Sequence, residues 1–155
     1  MRVRSIVVGL AVCVVGAAVA LAADSPFLGT WKLNEAKSKL SPNAPKNTTV
    51  VYEAAGDSVK VTTDGIDAQG KAAHSEWTGK FDGKDYPVSG DPNTDARSYK
   101  QVNDHTLTLE NKKDGKVTLS GRVETSPDNR TRTVHLTGTG PDGKKFTSIA
   151  VYDRQ

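Results

Sequence analysis

Cysteine is almost missing from this 155-residue chain: the single one, Cys13, lies in an apolar run near the start. Beyond that run there can be no disulfide, no thiolate metal site and no cysteine nucleophile. Aromatic residues are scarce at 6%, two of them tryptophans, and there is a single methionine. After the N-terminal stretch there is no long hydrophobic run and no segment with the extended 3.6-residue period of an amphipathic helix. Charge of one sign is lacking too. Lysine and arginine total 21 against 18 aspartates and glutamates, and they interleave without forming a block. That removes the usual electrostatic basis for nucleic-acid binding. There is no Gly-x-Ser-x-Gly elbow, no phosphate loop and no dinucleotide fingerprint. The sequence therefore predicts no catalysis and no cofactor.

What is present begins with a leader. Arg2 and Arg4 precede an apolar run from Ile6 to Ala20, which ends in small residues at Ala20 and Ala22. This is the layout of a secretory signal peptide. We expect residues 1–23 to be cleaved, after Ala22 or Ala23, leaving one domain over residues 24–155. The rival reading, a membrane anchor, asks for a span of about 20 strongly apolar residues, whereas this run is short and rich in Ala and Gly. Loss of Arg2 and Arg4 leaves 19 basic residues against the 18 acidic ones, so the formal charge falls from +3 to +1. Export without disulfides points to a bacterial periplasm or cell exterior.

The remaining chain reads as β-structure. TTVVYEA (48–54), SVKVTT (58–63), TLTL (106–109), KVTL (116–119), TVHLT (133–137) and TSIAVY (147–152) are rich in Val and Thr, and many alternate apolar with polar residues. That is the two-residue period of strands with one buried face. Asp-Gly pairs at Asp64-Gly65, Asp82-Gly83, Asp114-Gly115 and Asp142-Gly143 predict tight reversals. The spacing leaves room for about ten antiparallel strands and none for crossover helices. One exception is NEAKSKL (34–40), where Asn34 can cap a helix of one or two turns that Pro42 and Pro45 stop. Two architectures fit, a closed up-and-down barrel and a two-layer sandwich. A meander of hairpins favours the barrel, because closure removes exposed sheet edges. The expected inward set is Val59, Val61, Ala73, Trp77, Phe81, Leu107, Leu109, Val117, Leu119, Val123, Val134, Leu136, Ile149 and Val151.

The stretch Phe27-Leu28-Gly29-Thr30-Trp31-Lys32-Leu33 resembles the first strand of the calycins, the lipocalins and intracellular fatty-acid-binding proteins, which begin with Gly-x-Trp. It looks closest to small exported bacterial lipocalin-like proteins of unassigned function. The resemblance implies an all-β, up-and-down antiparallel barrel of about 8–10 strands with one short helix after the first. It also implies that Gly29 leaves room for a close chain crossing and that Trp31 plugs the closed end. Lipocalins often stack a cation near the chain end on this tryptophan, and Arg154 is the candidate here. Fatty-acid binders carry Arg-x-Tyr on the last strand to hold a ligand carboxylate. In this chain Ala150 stands where that arginine would be, and Tyr152 remains.

No histidine pattern marks a metal site. His74 and Glu76 would share one strand face, which is more often simply the wet side of a strand. The expected function is binding of a small apolar or amphipathic molecule by a monomer. Trp77, Phe81, Tyr99 and Tyr152 are the wall candidates, with Arg97 and Arg122 as polar anchors. The alternative is a packed barrel without a cavity that acts through its surface as an envelope or stress-related interaction protein.

Overall fold

The computed structural model describes residues 25–155; the expected leader and its cleavage site lie outside them. Ten strands follow in order: β1 Gly29–Leu33, β2 Lys46–Ala55, β3 Ser58–Ile66, β4 Ala72–Gly79, β5 Tyr86–Ser89, β6 Ala96–Asn103, β7 Thr106–Lys113, β8 Lys116–Thr125, β9 Thr131–Thr139 and β10 Lys145–Arg154. Every neighbouring pair is antiparallel, and β1 pairs with both β2 and β10, so the sheet closes into an up-and-down barrel. Among the described residues, closure leaves no sheet edge to template another chain. The architecture is compatible with a calycin-like fold.

Turn chemistry explains how the ribbon reverses. Asp114 and Gly115 both adopt positive φ, at 49° and 74°, as a two-residue turn between β7 and β8 demands. Asp64-Gly65 is different. Its sequence predicts a reversal, yet the pair runs within β3 beside a bulge in β2 between Asn47 and Thr49. A β-carbon on Gly65 would collide with the Lys46 carbonyl, so here glycine serves close backbone approach, not a turn.

The helix expected over 34–40 shrinks to a 3-10 turn at Glu35–Lys37, capped by the Asn34 side chain, which accepts from the Lys37 amide at 3.2 Å. The chain then returns to β10, where the Lys39 and Ile149 backbones exchange hydrogen bonds of 2.7 and 2.9 Å. That pairing bears on a second correction. On β10 the buried side chains are Phe146, Ser148, Ala150 and Tyr152, while Ile149 and Val151 take the opposite parity and face outward. A third correction concerns Val117. The β7–β8 register shifts between Asn111 and Lys112, and Val117 sits near the hairpin tip at 49% exposed.

The thinnest part of the wall is β5. It pairs through only two residues with each neighbour and contains Pro87, which has no amide hydrogen to give. The segment before it patches the gap: the Gln101 amide donates to the Phe81 carbonyl at 3.1 Å and the Gly83 amide to the Tyr99 carbonyl at 2.8 Å. Five connections, those after β1, β3, β5, β7 and β9, gather at one end of the barrel. The N-terminal stub at Pro26–Phe27 and the end of β10 lie at the other.

Candidate ligand cavity

Inside the barrel lies a cavity of about 480 Å³, with its rim formed by the loops at the first end and its floor by Trp31, Tyr52, Tyr99 and Arg132. The size falls in the ~300–1,000 Å³ range of small-molecule pockets. Leu109, Leu119, Val123, Val134, Leu136 and Phe146 supply the apolar wall, each from the inward face of its strand.

The floor rests on an aromatic layer. Trp77 stacks on Phe81 with an interplanar angle of 8°, meets Tyr99 edge-on at 4.8 Å, and donates its indole N–H to the Arg97 carbonyl at 2.8 Å. Phe27 meets Phe81 edge-on at 5.8 Å. Tyr52 and Tyr99 bring their hydroxyls to 3.4 Å. Burial pushes the Tyr52 and Tyr152 phenols well above their ordinary range, so both are neutral donors at neutral pH. The Tyr152 hydroxyl is turned aside and donates to the Asn47 carbonyl at 3.0 Å.

Trp31 is fully buried, and two guanidiniums lie over it. Arg132 comes within 4.0 Å of the ring centroid and Arg154 within 4.7 Å. Gly29 makes the second approach possible. Its φ is +118°, and a β-carbon there would sit 3.3 Å from Arg154 Nη1. Arg132 also lies 4.4 Å from the Tyr52 centroid. Of its nitrogens, Nη2 donates to the Phe27 carbonyl at 2.8 Å, while Nε and Nη1 have no partner among the described residues. Burial pushes this guanidinium down to about 10, still charged at neutral pH. Thr125, its neighbour across the β8–β9 ladder, has a buried hydroxyl that also lacks a partner among the described residues.

Nearer the rim sits a second polar layer. Arg97 is 7% exposed and its Nε donates to Asn111 Oδ1 at 2.6 Å, while Thr63 and Ser75 share a hydrogen bond of 2.6 Å.

Of the residues named from sequence, Arg97, Tyr99 and Tyr152 line the cavity. Trp77 and Phe81 lie beneath its floor, in the aromatic layer. Arg122 does not reach it: the side chain is 46% exposed and pairs with Glu124 at 2.7 Å on the outer face. Sequence reasoning missed Arg132, although the signal was there. Arg132, Val134 and Leu136 share one parity on β9, so placing the two apolar residues inward places the arginine inward too. The same argument on β8 sends Arg122 outward, opposite Val123.

The exposed histidines offer little. His74 Nδ1 lies 2.6 Å from Asp64 Oδ1, and among the described residues no three histidines, aspartates or glutamates are grouped to hold a metal ion. A second hollow, between Val117 and Thr147 on the outside of the barrel, has exposed Lys145 as its one charged lining residue. Compared with models of protein families and with curated proteins, the chain matches none.

Proposed function

We propose that this protein is an exported, monomeric binding module that holds a small apolar or amphipathic molecule in its barrel and performs no catalysis. The observation that carries the reading is the cavity of about 480 Å³, walled by aliphatic side chains and furnished with a few convergent polar groups. Binding would follow from burial of the guest's apolar surface, worth ~25 cal/mol per Å² before ordering costs. Arg97, Asn111 and the tyrosines would fix its orientation. The leader supports delivery outside the cytoplasm, where a barrel without disulfides can scavenge or carry a sparingly soluble compound. A packed barrel acting through its surface would need these inward side chains to meet across the lumen, and the volume between them weighs against it.

The test is a titration with N-phenyl-1-naphthylamine, a neutral apolar dye whose emission rises in dry surroundings. Saturable one-to-one enhancement is expected, abolished by Leu136→Trp, which fills the lumen from β9. A flat response from the wild-type chain would remove the reading.

A further inference from the structure

Near the rim the lumen has two unlike halves. On the side of β3 to β7 stand Thr63, Ser75, Thr94, Arg97 and Asn111, each 4–8% exposed and each lining the cavity. In the ring of ten strands β4 lies opposite β9. The facing side, on β8 to β10, carries Leu119, Leu136 and Phe146 at this height.

The polar half has protons to give. Thr63 and Ser75 share a hydrogen bond of 2.6 Å, which occupies one of their two hydroxyl protons. Asn111 Oδ1 accepts from Arg97 Nε at 2.6 Å, and its Nδ2 reaches Thr94 Oγ1 at 3.5 Å. One amide proton and the Thr94 hydroxyl proton remain. The terminal nitrogens of Arg97 have no partner among the described residues, and unlike Nε and Nη1 of Arg132 they are not enclosed by protein. The acids that line the cavity, Asp67 and Asp91, belong to the rim loops, where Asp67 accepts from the Gln69 and Lys71 amides and Asp91 from the Asn93 amide.

In an aqueous lumen these donors face solvent. A guest that displaces it must replace those hydrogen bonds or lose affinity. The Thr63–Ser75 pair and the Arg97–Asn111 pair stand on either side of β5. One head group at the end of a chain would meet one pair and leave the other. A hydrocarbon would leave both.

We propose that the barrel takes a compact neutral guest side-on. Acceptor oxygens of the lactone, ketone or ether kind lie along its one edge against the polar half, and its hydrocarbon edge lies against Leu119, Leu136 and Phe146. This rests on the lumenal-binding reading and adds the chemistry and the orientation of the guest.

The experiment displaces bound N-phenyl-1-naphthylamine with three compounds on one ring frame: phenanthrene, its lactone isostere benzo[c]chromen-6-one, and phenanthrene-9-carboxylate. A merely greasy lumen prefers phenanthrene, because the lactone must be desolvated. Wild-type protein is expected to bind the lactone at least about fivefold more tightly than phenanthrene, the scale of one neutral hydrogen bond. The infrared carbonyl stretch of the bound lactone should fall below its position in cyclohexane. The double variant Thr63→Val with Ser75→Ala, which removes both partners together, should at least halve the preference, and so should Asn111→Ala. If phenanthrene binds as tightly as the lactone, the cavity reading stands and the side-on donor half falls. An unshifted carbonyl stretch, or a preference undiminished in both variants, overturns it as well. If the carboxylate binds more than about tenfold tighter than the lactone, the guest is an anion and the neutral assignment falls. If neither the dye nor any competitor binds, both readings fall. Should circular dichroism show the variants unfolded, the wild-type comparison and the carbonyl stretch decide.

Discussion

At Trp31 two like charges share one indole, and the N-terminal stub makes this tolerable. The Phe27 carbonyl accepts from Arg132 at 2.8 Å and the Pro26 carbonyl accepts from Arg154 at 2.9 Å. Each cation thus has a ring for its face and a carbonyl for part of its edge. Exposed charges behave differently, and His74 is the test. The hydrogen bond to Asp64 is the main cause that raises its pKa above 6.5, with Glu76 Oε1 at 3.8 Å from the other ring nitrogen. A raised folded value means that the pair's support is present at pH below the unfolded value and fades as pH climbs through the folded one. Proton NMR of the imidazole should therefore give a midpoint above 6.5 for His74, and Asp64→Asn should lower it. A midpoint that Asp64→Asn leaves unmoved would show that the pair does not persist in solution.

Between elements, the β2–β3 contact is the most exacting. The bulge at Asn47–Thr49 brings the Lys46 backbone over Gly65, and the Asn47 carbonyl just beyond it receives the Tyr152 hydroxyl. Gly65→Ala must displace backbone, not a flexible side chain, so a loss of ~1–3 kcal/mol in urea unfolding is expected. An unchanged midpoint would show that the approach is looser than described. This same site marks where the sequence misleads. Asp-Gly reads as a turn because both residues tolerate positive φ, yet nothing local distinguishes a glycine kept for a turn from one kept for a crossing strand. The strand meander and its closure were legible, since alternation in β3, β7 and β9 sets one buried face per strand. β10 was not, because Ile149, Ala150 and Val151 are apolar on both parities and only the partner strands choose between them. Tyr152 and Ile149 cannot share a face, so accepting the tyrosine as a wall residue already excluded the isoleucine. For β5 and β6, the sequences YPVS and ARSYKQVN lack clean alternation. Their place in the wall comes from tertiary pairing.

For the molecule as a whole, Arg132 sets charge against burial, and the magnitudes decide what its removal should do. Lowering the guanidinium from 12.5 to about 10 corresponds to roughly 3 kcal/mol against keeping it charged in the fold. Against that stand two cation–π contacts, each worth ~0.5–2 kcal/mol, and one hydrogen bond from a charged donor, worth ~1.5–3 kcal/mol. The two sides are comparable, so neither dominates. Methionine can occupy much of the same space and brings no charge to desolvate, and buried ionic groups exchanged for apolar ones of similar volume are often neutral or stabilising. Arg132→Met is thus expected to unfold in urea within about 1–2 kcal/mol of the wild-type chain at pH 7. The pH trend carries a sign that can be checked. A base with a depressed folded value disfavours the fold below that value, and the penalty is relieved as pH rises through 10. The buried phenols of Tyr52 and Tyr152 act oppositely, losing their support over the alkaline range because burial raises them. Removing Arg132 leaves the phenols alone, so Arg132→Met should lose stability more steeply than wild type between pH 9 and 11. A loss above about 3 kcal/mol at neutral pH would instead make Arg132 a structural clamp on Trp31 and the Phe27 carbonyl, held in place by the fold's own needs.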